Sequence, residues 1–311
     1  MPITLSTDLK RQAVLNEVVR ALKKRRTPLF SFGYKVQDTP LQGTDELVVP
    51  YVPLVTAAST DYNSANGYVM TDGDVQAKKI TLNKDKYQSL SFTDDQDNRQ
   101  PLLLTDEVVA QKVDKLVVDV TNDVASVVTA ANYGTNAWYG AASGFNIGAV
   151  GTLRGVANNA NWGKFKRSLV LNADYDAKFV LDSAVIAALN YGSNEVIRTG
   201  NVPEVLGFGY YGGAEVPANG ETLVGWISLP SAAAWAMAPV LPKQSEARNV
   251  MKWETYSDAD PDGDGSDASF VLVYKEWYDP NYRMNKRVIE TFYGYSLIEA
   301  AALKRITTTN T

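Results

Sequence analysis

The stretch from Thr105 to Ala131 (TDEVVAQKVDKLVVDVTNDVASVVTAA) constrains the fold of this chain more than any other. Val109, Val113, Leu116, Val117, Val120, Val124, Val127 and Val128 recur at spacings of three and four, which sets them on one face of an α-helix. Thr105 is a fair N-cap, and Asp106 and Glu107 lie where the helix dipole favours negative charge. Such a helix is roughly 40 Å long at about 1.5 Å per residue. Its valines lower intrinsic helix propensity slightly, so packing must hold it. It reads as a backbone element on which other parts are mounted.

Upstream, residues 7–26 read as a helix capped by Thr7 or Asp8, with Leu9, Val14, Leu15, Val18, Val19 and Leu22 as its apolar stripe. It ends in Lys23-Lys24-Arg25-Arg26 before Pro28. Basic residues in a last turn suit the macrodipole; the sharper reading is a basic arm that touches nucleic acid. Residues 47–57 look extended, but Pro50 and Pro53 exclude a central sheet strand. Residues 58–76 are rich in Asn, Asp, Ser and Gly and suit a mobile loop tip. Ala77–Thr93 resumes as one strand, Ile80 alternating with Leu82 and Leu90 with Phe92. Together these predict a long two-stranded arm. A lone hairpin is marginal in water, so an arm this long implies a partner surface.

Downstream, residues 132–165 shift to Gly, Ala, Asn and aromatics and carry no periodic signal. Strands are expected at 168–171, 205–216 and 222–228, the last two separated by a turn at Pro217–Gly220. Helices are expected at Ala173–Asn190 and, short and Ala-rich, at Ser231–Met237. Extended segments follow near 249–256, 269–278 and 286–295, with a turn at Asp279-Pro280-Asn281 before the third. The tail TTTNT is expected to fray. The fold class is α+β, with a β-arm leaving the core.

Composition narrows function. The chain of 311 residues has no cysteine and no histidine. Disulfides, thiol nucleophiles, thiolate metal sites, Ser-His-Asp triads and His-containing zinc sites are therefore excluded. Carboxylate or lysine chemistry stays open. A net charge of -5 does not describe a basic nucleic-acid binder. No apolar run approaches the roughly 20 residues that span a bilayer. The opening MPITLSTDLKRQ turns polar too soon for a secretory signal, so synthesis in the cytoplasm is expected.

Three motifs resemble chemistry. Gly207-Phe-Gly209-Tyr-Tyr-Gly212 matches G-x-G-x-x-G, but it runs towards Pro217 and not into a phosphate-binding helix, so a bend or close strand packing fits better. Asp258, Asp260, Asp262, Gly263 and Asp264 reproduce the first half of a calcium loop. Its twelfth position is Ser269 instead of a bidentate Glu, which favours a solvated acidic turn. Asp94, Asp95 and Asp97 suggest paired carboxylates, yet their place between arm and helix reads as a polar junction. No catalytic, cofactor-binding or metal-ligating residue is nominated, and no enzyme is expected.

The order of these pieces resembles the major capsid proteins of tailed bacteriophages with the Hong Kong 97-type fold. KKITLNKDKYQSLSFTDDQ runs directly into the long helix; SLVLNADYDAKF is similar to the family's strand-then-helix segment. VLGFGYYGGAEVPANGETLVGWISLPSAAAWA is similar to its next strands and small helix, so the resemblance spans roughly 45 to 300. It implies an N-arm at 1–46, a P-domain spine helix within 93–131 and, at 47–92, an extended β-hairpin E-loop that lies across a neighbouring subunit, where Tyr51, Ile80 and Leu82 would find partners. An A-domain at 132–245 and P-domain return strands with the C-terminus at 246–311 complete it. It further implies hexamers and pentamers of this chain, closed into an icosahedral virion shell around non-specifically contacted double-stranded DNA. A portal, with scaffolding or decoration proteins, would be its other partners; no membrane and no cofactor are implied. The short arm leaves scaffolding to a separate protein or to none. An encapsulin-like compartment shell is the alternative. A carboxylate enzyme using Asp94, Asp95 or the Asp258–Asp264 loop is the rival from another class.

Overall fold

The computed structural model describes residues 28–36, 46–54, 62, 75–94, 102–163, 166–183, 185, 204–239, 252–256 and 271–310. The expected helix at 7–26, the loop tip at 58–76 apart from residues 62, 75 and 76, and the acidic loop at 257–268 lie outside them. A one-turn helix, Leu29–Phe32, leads into β1 (Gly33–Lys35). Strands β2 (Glu46–Tyr51), β3 (Gln76–Thr81) and β4 (Lys84–Thr93) precede the long helix α1 (Leu102–Ala125). After it come a single turn at Ala130–Tyr133, β5 (Trp138–Tyr139) and α2 (Ile147–Asn159). Then follow β6 (Ser168–Asn172), α3 (Ala173–Val180), β7 (Glu204–Val205), β8 (Phe208–Ala214) and β9 (Leu223–Ser228). The rest is β10 (Ala233–Ala238), β11 (Lys252–Tyr256), β12 (Leu272–Asp279), β13 (Met284–Leu297) and β14 (Leu303–Thr307). The α+β class holds.

Two six-stranded sheets and one hairpin organise these elements. The first sheet runs β1-β10-β13-β12-β11, with β4 on the other side of β13; the second runs β5-β14-β9-β6-β8-β7; among the described residues β2 and β3 pair only with each other. The main core joins the valine face of α1 to both sheets. Val113, Leu116, Val117, Val120 and Val124 are buried there, together with Trp226 of β9 and Trp235 of β10. Phe32 meets Trp226 edge-on, with ring centroids 5.3 Å apart.

Several local expectations change. Helix α1 begins at Leu102, so Thr105 lies inside it, and it stops at Ala125. Its end is fixed by tertiary partners: the Asn219 amide donates to the carbonyls of Ala125 (3.1 Å) and Val128 (2.8 Å), satisfying groups that a helix end leaves open. The strand expected over 77–93 is two strands interrupted at Leu82-Asn83, and β4 pairs with β13, not with the hairpin. The strand expected over 205–216 is folded back at Leu206-Gly207, where φ values of 49° and 83° give the twist of a tight hairpin. The helix expected over 173–190 is interrupted: α3 ends at Val180, Asp182 accepts the Ile147 N–H (2.9 Å) at the start of α2, helical backbone recurs at Ser183 and Val185, and 186–190 lie outside the described residues. The tail is held as far as Thr309, whose carbonyl accepts from Asn136 (3.2 Å) and from Thr307 (2.6 Å).

The segment expected as an Ala-rich helix at 231–237 is strand β10, paired parallel to β1 and antiparallel to β13. Tertiary context overrides alanine's helix propensity here. Ala233, Trp235 and Met237 enter the main core, whereas Ala234, Ala236 and Ala238 face the other side of the sheet. That side is where the hairpin lies.

Candidate functional site

The hairpin and its root form the most distinctive surface. Its register pairs Leu47 with Ile80, Val49 with Lys78 and Tyr51 with Gln76 on one face, and Val48 with Lys79 and Pro50 with Ala77 on the other. Val49, Ile80 and Leu82 are buried on the bed of Ala234, Ala236 and Ala238, with Leu47, Tyr51 and Phe292 at the margin. Only short side chains leave room for a second layer this close. Gly294 of β13 serves the same end: a Cβ there would collide with the Thr81 carbonyl.

This corrects the expectation that Ile80 and Leu82 wait for a neighbouring subunit. Ile80 is fully buried within its own chain. What remains open is the opposite face and the strand beyond it. Val48 is 58% exposed, Val52 70% and Val75 66%. Among the described residues, the outer backbone edges of β2 and β3 have no ladder partner. Pro50 fits because it stands on such an edge. The exposed ion pair of Glu46 with Lys79 (2.8 Å) adds little. Leu54 N–H donates to the Glu299 carboxylate at 3.4 Å, tying the chain after β2 back to the body.

The root of the hairpin is more tightly built. Two residues, Leu82 and Asn83, separate β3 from β4. Lys84, first in β4, donates to both Asp123 oxygens (2.8 and 3.0 Å) in the last turn of α1. It also donates to the Tyr295 hydroxyl (2.8 Å) and lies 4.6 Å from the centre of that ring. Tyr293 donates to Asp123 at 2.8 Å, and Ser126 shares a 3.2 Å hydrogen bond with Tyr295. Burial alone would raise the Asp123 carboxyl, but the bonds from Lys84 and Tyr293 outweigh it and hold the group below its ordinary value. Burial would likewise lower Lys84, yet its Asp123 and Tyr295 partners hold it above its ordinary value. Burial, then the bond to Asp123, pushes the Tyr293 hydroxyl far up. Lys84, Asp123, Tyr293, Gly294 and Tyr295 went unremarked in the sequence. The Lys84-x-Lys86-x-Gln88 alternation is the available signal, since these side chains all reach α1: Lys86 donates to the Asp119 carbonyl, and Gln88 accepts from Lys112.

The other motifs are dispersed. The G-x-G-x-x-G glycines lie in the turn and strand of β7–β8, and Gly212 is demanded by Asp176, whose carboxylate would meet any Cβ. Asp94 accepts from the Tyr278 hydroxyl (2.9 Å), a polar junction as expected, while Asp95 and Asp97 lie outside the described residues. The Asp258–Asp264 loop and Lys23–Arg26 lie outside them too. Among the described residues no group of three or more acidic side chains is placed to hold a metal ion. No described helix is long and apolar enough to cross a membrane.

No protein-family model matches the chain, and no curated protein matches it in sequence. Its fold is nevertheless shared with solved phage structures. The capsid structure of cyanophage P-SCSP1u superposes with a TM-score of 0.57 at 14% identity, covering 90% of this chain and 87% of that one. A Mycobacterium phage Che8 structure gives 0.54 at 14% identity, covering 86% of each chain. The asymmetric unit of the bacteriophage PhiM1 mature capsid gives 0.52 at 13%, covering 91% and 86%. The chain thus has the fold of phage capsid subunits, over nearly its whole length and theirs.

Proposed function

We propose that this chain is the major capsid protein of a tailed phage, a structural subunit and not an enzyme. Copies of it would assemble as hexamers and pentamers into an icosahedral shell around double-stranded DNA. The single observation that carries this reading is the near end-to-end match to phage capsid folds. The same phage origin favours a virion shell over an encapsulin-like compartment. In this reading the β2–β3 hairpin belongs to the E-loop (47–92), α1 is the spine helix of 93–131, and β11–β13 are return strands of the P-domain (246–311). Residues 132–245 would form the A-domain and 1–46 the N-arm, whose Lys23–Arg26 would offset repulsion between DNA and acidic subunits. One fold making slightly different heterologous contacts can close such a shell. Portal, scaffolding or decoration proteins would be its further partners, and the virion its final location, after synthesis in the host cytoplasm.

The hairpin supplies the contact: exposed valines and, among the described residues, edges without a ladder partner, on an element already anchored to its own subunit. Expression of the full chain, followed by electron microscopy and sedimentation, tests the proposal. Closed isometric particles of uniform diameter are expected. A stable monomer or dimer under all assembly conditions would overturn it.

A further inference from the structure

We propose that Lys84 and the Tyr293-Gly294-Tyr295 segment form a clamp that sets the angle at which the hairpin leaves the sheet, and through that angle the curvature of the assembled shell. The second half rests on the capsid reading; the first does not.

Two consecutive grips converge on one short stretch of β13. On one face of the sheet the Thr81 carbonyl sits against Gly294, at the last residue of the hairpin. On the other face Tyr293 and Tyr295 flank Lys84, three residues later, and Asp123 closes the cage. Alternation along β13 produces this arrangement: Gly294 pairs with Ala236 on the hairpin side, while Tyr293 and Tyr295 pair with Met237 and Trp235 on the core side. The chain between the grips is Leu82, buried beside the hairpin's apolar residues, and Asn83, which is exposed. So short a link cannot absorb a change of direction unless a grip releases. The Lys84 cage also reaches the last turn of α1 through Asp123 and the residue just after the helix, Ser126. The hairpin's direction is thereby referred to the longest described helix of the subunit. A general stabiliser would not need to stand at this place; a fulcrum would.

The test uses Lys84→Met, Tyr295→Phe and Gly294→Ala in the full chain. Hydrogen exchange of dissociated subunits is read at residues 46–51 and 76–81, with β9 and β12 as internal references. Lys84→Met should accelerate hairpin exchange roughly tenfold, the effect of losing hydrogen bonds to a charged group, with the references unchanged. Tyr295→Phe should give a smaller acceleration in the same peptides; it removes one hydroxyl and keeps the test decisive where a harsher variant fails to fold. Particles built from these variants should lose their uniform diameter. Unchanged hairpin exchange in all three variants, or equal acceleration across the chain, would overturn the clamp. Particles of wild-type diameter despite a loosened hairpin would remove the link to curvature. Should the wild type never assemble, the capsid reading fails, while the exchange data still decide on the clamp.

Discussion

Strands β2 and β10 are both six residues long, and their sequences ELVVPY and AAWAMA invite the opposite of their fates. The valine-rich strand has one buried residue and the alanine-rich strand is buried throughout. The difference lies in neighbours. Strand β10 is flanked by β1 and β13 and covered on both faces, by the main core and by the hairpin. Among the described residues, strand β2 has one ladder partner and one covered face. The inner strand is complete within the subunit, whereas the outer one keeps apolar side chains and backbone edges in water. A monomer gains nothing from that exposure; a subunit that docks on a copy of itself does.

This contrast orders the expected effects of substitution. Trp226→Ala in β9, flanked by β14 and β6 inside the second sheet, should be the most damaging. It removes a fully buried ring that packs on Phe32, and about 3–5 kcal/mol of stability with it. Thermal melting should fall steeply or soluble protein be lost. Ala236→Leu should cost less, about 1–3 kcal/mol from overpacking the bed of the hairpin. Increased proteolysis at 46–51 ahead of global melting would show that the hairpin, not the sheet, has yielded.

Acid should act at the root. Asp123 titrates below its ordinary value of 3.8, so its contribution is present above that pH and lost as pH falls through the lower folded value. Lys84 titrates above its ordinary 10.5, so its contribution is present below that pH and lost as pH rises through the folded value. Between roughly pH 4 and 10 the pair should be intact. The facing groups are Asp119, Lys86, Tyr293 and Tyr295, of which Lys86 helps hold Asp123 ionised. In Asp123→Asn the melting temperature should vary less with pH below 4 than in the wild type. An unchanged acid profile would mean that other carboxylates govern it.

Much of the frame was legible because its signals are local. The α1 stripe, the strands near 168–171, 222–228 and 269–295, and the edge placement forced by Pro50 all follow from period and sterics. The misreadings share one cause: a tertiary partner overruled a local preference. Ala-rich β10 is a strand because β1 and β13 flank it. Helix α3 is interrupted at Leu181-Asp182, where Asp182 serves α2. Helix α2 itself escaped notice because Gly148, Gly151 and Gly155 stand on its exposed side and blur its period, although Asn146 caps it through the Ala149 N–H (3.1 Å). At the candidate site the arm was legible and its bed was not. Nothing near Ile80 in sequence announces three alanines and a glycine more than a hundred and fifty residues away.

The outer face of the hairpin tests the account most directly. Val48→Asp combined with Val75→Asp places charge on two side chains that the isolated subunit leaves exposed. Melting of the dissociated subunit should stay within about 0.5 kcal/mol of wild type, as for ordinary surface changes. In the same preparation, sedimentation and microscopy should show that regular shells no longer form, because the charges must be buried at the contact. Closed shells of normal diameter carrying both substitutions would contradict the claim that this face joins one copy of the chain to the next.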